Sequence, residues 1–310
     1  MPDKIAIGVD LGGTKIAFVA VNREGEILDT YTEPTLAKEG AEAIIGRIVQ
    51  GIEHVGAGCE VAGIGIGAPG PVVDGVVVGA ANLGWIKVPL VTKVREHLSF
   101  DAPIWAHNDV NAGAVAEMIF GAARGVRDFV YLALGTGLGG GAVSEGRLIN
   151  GVSGAAMEVG HISLDPHGRA CTCGGHGCVE MFVSGKGLVA GALEYLPNYP
   201  DSTLNSSEPT TRLIIDAARA GDPMARRIMD EAADALGAAM AWSVIILNPT
   251  LIVIGGGLAQ AADDLLYEQA CTAMSIRLFP PVRATIQVAR SQVEASALGA
   301  AALVWHALEA

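Results

Sequence analysis

The chain lacks an excess of basic residues. Its 20 Lys and Arg stand against 33 Asp and Glu, a formal net charge of −13. A surface of that sign is repelled by nucleic-acid backbones and anionic lipid headgroups, which excludes DNA, RNA and a charged membrane as partners. Long apolar runs are missing too. The longest largely apolar stretch, Ala235 to Leu247, is closed by Asn248-Pro249-Thr250 and is too short for a bilayer. Aromatic residues are scarce at 5%, whereas apolar residues make up 51% and glycine 41 of 310 positions. That is the Ala/Val/Ile/Gly-rich profile of an α/β protein, not a disordered or fibrous one. No Gly-Lys-Ser/Thr occurs, so a Walker A loop is absent. No secretory signal precedes Lys4, so a soluble cytoplasmic protein in a reducing compartment is expected, with disulfides disfavoured. The length suits two domains.

Cysteine is also rare, five residues in all, yet Cys171, Cys173 and Cys178 fall within eight positions. His161 lies ten residues upstream of the first. Three thiolates and one imidazole make the closed Cys₃His set of a structural zinc site. The glycines at 174, 175 and 177 allow the chain to fold back so that the sulfurs converge. His167 and His176 compete for the fourth place, but both sit in Gly-rich, solvated turns, which favours His161. A Cys171–Cys178 disulfide is the competing use of the thiols. Glu158 and Glu180 flank the cluster, so a metal there would fix two carboxylates around a polar pocket. Cys59 and Cys271 are isolated and read as ordinary packed residues.

Along the chain, Lys4–Asp10 reads as a strand, Leu11-Gly12-Gly13-Thr14-Lys15 as a turn, and Ile16–Val21 and Glu26–Tyr31 as two more strands. The same order recurs as a strand at Asp128–Leu134, a turn at Gly135-Thr136-Gly137-Leu138-Gly139-Gly140-Gly141, and strands at Ala142–Ser144 and Arg147–Ile149. One glycine turn alone is an ordinary hairpin. Two of them facing each other would suit a nucleotide's phosphates, because backbone N–H groups without a Cβ can approach phosphate oxygens. Gly135-x-Gly137-x-x-Gly140 matches a dinucleotide-binding pattern, but that pattern needs a helix next, and a strand follows here. Ala41–Val55 has helical period. Pro103–Ala106 reads as a strand delivering Asn108 and Asp109 to a helix at Val110–Ala123, with Asp109 as N-cap, a position that serves either as a cap alone or as part of a ligand site. Helices are expected at Leu90–Leu98, Gly185–Leu196, Arg212–Ala220, Met224–Leu247 and Ala295–Leu308, and strands at Val61–Gly67, Leu251–Ile254 and Thr285–Val288. Gly255-Gly256-Gly257 joins one of these strands to a helix running to about Met274. It could seat an adenosine or simply be a close-packed turn.

Taken together, Asp10-Leu-Gly-Gly-Thr-Lys15, Gly67-Ala-Pro-Gly70, Asn82-Leu-Gly-Trp85, Asn108-Asp109, Leu134-Gly-Thr-Gly137, Glu158-Val-Gly-His161, the cysteine cluster through Glu180 and Gly255-Gly-Gly-Leu258 resemble the ROK family of sugar kinases and repressors. The resemblance spans nearly the whole chain and is greatest to bacterial ATP-dependent glucokinases. It implies an α/β fold of two ribonuclease-H-like, actin-like ATPase lobes with the active site in the cleft between them. The expected lobes are 1–108 with the closing helix 295–310, and 109–294 carrying the zinc loop. It further implies Asp109 as general base and Asn82, Asn108, Asp109, Glu158, His161 and Glu180 as sugar ligands. Asp10, Gly12, Gly13, Thr14, Lys15, Gly135, Thr136 and Gly137 would serve ATP and its Mg²⁺, and Gly255, Gly256 and Gly257 the adenosine. Zinc on His161, Cys171, Cys173 and Cys178 would shape the site without doing chemistry. Glucose is the expected hexose, with N-acetylmannosamine, fructose or allose as alternatives, and a homodimer is expected. Family regulators carry a winged-helix segment before this part; with the first strand at Lys4, an enzyme is expected instead.

Overall fold

The computed structural model describes residues 4–293 and 296–309. Its contacts divide the chain into two units. The first holds the described residues up to Arg127, Gly141–Ala156, and the described residues from Ser291 on. The second holds Asp128–Gly140 and Met157–Arg290.

The chain starts with a meander. Strands β1 (Ile5–Leu11), β2 (Lys15–Val21) and β3 (Ile27–Pro34) pair antiparallel in sequence order. Helix α1 (Ala41–Val55) follows, with Ile44, Ile45, Ile48, Ile52 and Val55 on one buried face, as its period required. Gly51 on that face is obligatory, since a Cβ there would meet the Phe18 ring at 2.2 Å. Strand β4 (Val61–Ala68) runs parallel to β1. Next comes a three-stranded sheet that the sequence reading did not foresee: β5 (Val72–Val73), β6 (Val76–Ala80) and β7 (Trp85–Val88). Its first turn is Asp74-Gly75, both with positive φ (49° and 76°), the geometry of a two-residue type I′ hairpin.

Helix α2 (Leu90–His97) leads to β8 (Ile104–Asn108), which is parallel to β4. It extends two residues beyond the expected strand. Helix α3 (Asp109–Ile119) begins at once and ends earlier than expected. Strand β9 (Phe129–Leu134) opens the second unit, and β10 (Leu138–Ser144) leads back into the first, where it pairs antiparallel with β11 (Arg147–Leu148). The second unit then adds α4 (Glu180–Val183), α5 (Gly185–Tyr195), α6 (Thr211–Ala220) and the long α7 (Pro223–Leu247). Strand β12 (Leu251–Gly255) is parallel to both β9 and β13 (Gln287–Arg290). The single helix expected after Gly257 is two, α8 (Gly257–Ala261) and α9 (Asp263–Arg277), broken at Ala262 and followed by the short α10 (Pro280–Arg283). The closing helix α11 (Ser296–Glu309) lies where one was expected; residues 295 and 310 fall outside the described residues.

Two sheets therefore share one plan, β3-β2-β1-β4-β8 and β11-β10-β9-β12-β13. The duplication was expected from the repeated strand-turn-strand segments, and its ribonuclease-H-like character from the family resemblance. The contact boundary does not fall at 108/109. Ala112, Val115 and Ala116 of α3 pack against Ala302 and Leu303 of α11, and this apolar contact keeps α3 in the first unit.

Candidate functional site

In the first unit the β1–β2 turn is closed by Gly12 N donating to Lys15 O at 3.0 Å and Thr35 Oγ1 donating to Gly12 O at 2.7 Å. Gly13 faces Asn82: a Cβ on Gly13 would lie 3.0 Å from Asn82 Nδ2. Asn82 itself is exposed on a 3₁₀ turn, Ala81–Leu83, that Gly84 ends with φ 65°. Asp10, one residue before the end of β1, accepts a hydrogen bond from Ser296 Oγ at 2.7 Å. Burial raises the pKa of its carboxyl above the ordinary value, against the opposing pull of the Ser296 bond and the Lys15 charge. Thr14 and Lys15 are exposed at the turn.

The strand-to-helix junction differs from the expectation in one respect. Asn108, not Asp109, is the N-cap of α3: its Oδ1 accepts from Val110 N (2.9 Å) and Asn111 N (3.4 Å). Its Nδ2 donates to Gly70 O at 3.2 Å, which ties the Gly67–Gly70 segment to the junction. Gly67 is close enough that a Cβ would lie 3.6 Å from Asp109 Cα. Asp109 occupies the first helical position, exposed, with Oδ1 accepting from Val110 N at 2.9 Å. A carboxylate in the first turn of a helix lies at the positive end of the helix dipole.

In the second unit the ligand atoms of His161, Cys171, Cys173 and Cys178 lie within 4.8 Å of one another. Cys173 Sγ and Cys178 Sγ are 3.6 Å apart, and Cys171 Sγ is 3.7 Å from His161 Nδ1. A disulfide would require about 2.05 Å. Four ligands at about 2.0–2.3 Å from one ion stand roughly 3.5–3.8 Å from each other, so the cluster fits tetrahedral zinc and not a disulfide. His167 and His176 lie outside this cluster. Burial first, then the neighbouring thiols, push the Cys178 thiol up to about 12. Three thiolates packed this closely need a cation to share. The loop reverses tightly because Gly174 and Gly177 have positive φ, and a Cβ on Gly177 would strike Asp165 O at 1.8 Å. Arg169 holds the loop from behind, donating to Glu194 (2.6 Å), Met181 O (2.9 Å) and Glu231 (3.4 Å). The other ring nitrogen of His161, Nε2, stands 3.9 Å from Glu158 Oε2.

Glu180 is buried and reaches the second glycine turn, where its Oε2 accepts from Leu138 N at 3.1 Å. Gly135 N donates to Gly137 O, and Gly185 N to Gly135 O, each at 2.9 Å, which fixes the turn against the start of α5. Gly256 packs so closely on the end of β9 that a Cβ would lie 2.2 Å from Leu134 O, whereas a Cβ on Gly257 would meet nothing. That open side gives onto a cavity of about 740 Å³ within the second unit. Its walls include Gly135, Thr136, Lys186, Thr211, Arg212 and Gly257. The sequence reading named Gly135, Thr136 and Gly257 for a nucleotide but missed Lys186, Thr211 and Arg212. Only Gly185-Lys186-Gly187, after the capping Ser184, could have signalled that wall. Among the described residues no helix is long and apolar enough to cross a membrane.

Comparison with known proteins agrees with these features. The family model described as "ROK family" matches residues 6–307. A glucokinase from Thermotoga maritima is 35% identical over 98% of both chains. An N-acetylmannosamine kinase from Shigella boydii is 32% identical, covering 96% of this chain and 97% of its own. A xylose repressor from Caldicellulosiruptor bescii is 31% identical over 96% of this chain and 77% of its own. Among solved structures, the ROK family glucokinase from Streptomyces griseus in complex with glucose and AMPPNP superposes with a TM-score of 0.80 at 34% identity, covering 96% of this chain and 98% of that one. With a duplicated sheet plan, a Cys₃His cluster and a family model matched almost end to end, the chain belongs to the ROK family.

Proposed function

We propose that the chain is an ATP-dependent hexose kinase that phosphorylates the 6-hydroxyl of glucose, with Asp109 as general base. The observation that carries the reading is the α3 junction, where Asn108 caps the helix and leaves the Asp109 carboxylate exposed in its first turn. There the carboxylate can take the proton of an attacking hydroxyl, a role worth about 10²–10⁴-fold. Asn82, Asn108, Glu158, His161 and Glu180 bind the sugar, since hydroxyls that both donate and accept are matched by amides, carboxylates and an imidazole. The turns at Gly12-Gly13-Thr14-Lys15 and Gly135-Thr136-Gly137 receive the phosphates, and the cavity beside Gly257 receives the adenosine.

Zinc would be held by His161 Nδ1 and the three sulfurs, leaving Nε2 to face Glu158 and the sugar. Asp10, beside the first turn, would hold Mg²⁺ with the nucleotide, and that ion supplies neutralisation of the charge passing between oxygens. The protein works in the cytoplasm as a homodimer on this reading.

The test is ADP release with MgATP across a panel of hexoses, ranked by kcat/KM. Glucose leads on this reading; a lead by N-acetylmannosamine, for which a 32% identical relative is named, would select the second reading. Asp109→Asn should lower kcat by about 10²-fold or more. Turnover unchanged from the parent would reject the base assignment.

A further inference from the structure

Three polar side chains of the first unit meet behind Asp109, and none of them is used by the function proposed above. Asn111, in the first turn of α3, is only 3% exposed. Its Nδ2 donates to Asn150 Oδ1 at 3.1 Å. Asn150 Nδ2 lies 3.3 Å from Nδ1 of His107, the residue that precedes the Asn108 cap. Asn111 Oδ1 is buried without a partner, so the bond to Asn150 is what orients that amide. Asn150 itself sits just after β11, on neither the strand nor the helix it touches. It therefore ties the penultimate residue of β8 to the first turn of α3 from outside, on both sides of Asp109. Two amides and an imidazole in a half-buried junction cost desolvation, and they fix a unique geometry only when linked in this way.

We propose that Asn150 is a positioning residue for the Asp109 carboxylate: by bridging His107 and Asn111 it fixes the angle at which β8 hands over to α3. The proposal rests on the reading of Asp109 as general base. A base displaced by about 1 Å can lose on the order of 10² in rate, so the bridge has kinetic leverage without touching substrate.

The bridge requires an unprotonated His107 Nδ1; burial, the largest cause, lowers the pKa of that imidazole, while the contact with Asn150 acts in the opposite direction. Of the elements packed against β8, α11 brings His306, itself influenced by Glu309; Arg95 of α2 and Asp74 of the β5–β6 turn line the same cavity as His107; and α3 carries Asp109. His306, when charged, lowers the His107 value further.

The experiment measures steady-state kinetics of Asn150→Ala and Asn150→Asp, each alone and combined with Asp109→Asn, together with melting temperatures. Asn150→Ala should lower kcat by about 10–100-fold while leaving both KM values within about threefold. It should cost nothing further in the Asp109→Asn background. Asn150→Asp keeps the acceptor for Asn111 but presents an oxygen to His107, so the bridge reforms only when Nδ1 carries a proton, in the neutral Nδ1–H tautomer or in the charged ring. Its kcat should therefore stay above that of Asn150→Ala and rise as pH falls, because the new carboxylate favours the charged ring, a trend absent from Asn150→Ala. This isosteric variant decides the matter if the alanine variant fails to fold. Additive losses in the Asp109→Asn background, an effect on KM alone, or a pH profile for Asn150→Asp parallel to the parent's would overturn the proposal. Parental turnover in Asp109→Asn would instead sink the base reading, and the proposal with it.

Discussion

Glu180 and Gly137 are matched to each other. The Glu180 Oε2 atom accepts from Leu138 N at 3.1 Å, and a Cβ built on Gly137 would lie 2.3 Å from that same oxygen. A buried carboxylate thus supports the second glycine turn from beneath, and glycine is what leaves room for it. Gly135, two residues earlier, has nothing within 4 Å of its missing Cβ. Gly137→Ala should therefore push the carboxylate off Leu138 N and leave both groups poorly paired, at about 1–3 kcal/mol. Gly135→Ala should leave the fold unchanged. Thermal unfolding of the two variants without nucleotide separates the cases, and equal melting temperatures would refute the pairing.

The Cys₃His cluster predicts one zinc per chain by elemental analysis. The four ligands lie in the segment between Glu158 and the Glu180 that opens α4, so losing the ion should loosen that segment as well as lower stability. Cys171→Ser, or exhaustive chelation, should reduce the melting temperature by at least about 4 °C, since about 1–2 kcal/mol moves a domain of this size that far. The KM for the sugar should rise more than that for ATP. A metal-free chain with parental melting and kinetics would end the structural-zinc assignment.

The glycine turns, the cysteine cluster and α1 were legible because their residue types identify themselves. Three cysteines and a histidine at short spacing have few other uses, and Ile44, Ile48, Ile52 and Val55 repeat at helical intervals. The β5–β7 sheet carried a readable hairpin signal, Val-Val-Asp-Gly-Val-Val, but it follows Pro69-Gly70-Pro71 and its first strand is two residues long, and no element is placed there from the sequence. The N-cap was misplaced by one because β8 passes into α3 with no intervening turn, and local preference cannot divide two adjacent capping residues. Lys186, Thr211 and Arg212 come together only through the packing of α5 and α6 around one cavity, which no local pattern encodes.

Asp10 should show a conflict between stability and function. Burial raises its folded pKa above the ordinary 3.8. The fold thus favours the protonated acid, and the stability this group contributes is fully present below about pH 3.8. It is lost as pH rises through the folded value. At neutral pH the ionised carboxylate is held at a cost, which Asp10→Asn removes while keeping an acceptor for Ser296 Oγ. The variant should melt about 1–4 °C higher at pH 7.5, a gain that shrinks as pH falls toward 4, and should lose at least about tenfold in turnover. A variant less stable than the parent at neutral pH would contradict the assignment of burial as the dominant cause.

Glu117 tests how much one carboxylate can hold. It has no exposed surface, near the end of α3. It accepts from Ala122 N at 2.7 Å, from Ser291 Oγ, from Gln292 N at 3.2 Å and from Val293 N at 3.3 Å. Residues 291–293 are where the chain re-enters the first unit after Arg290, so this single side chain pairs the donors of that segment and of the turn after α3. Glu117→Ala removes the fully buried acceptor of three backbone N–H groups and a hydroxyl, and should cost about 2–3 kcal/mol. Glu117→Gln should fall between, because one oxygen becomes a donor facing donors. Arg23→Ala, which breaks the exposed ion pair to Glu309, should change stability by less than about 1 kcal/mol. Urea unfolding of the three variants at constant m ranks them, and a Glu117→Ala midpoint no lower than that of Arg23→Ala would show that the segment is held by packing instead.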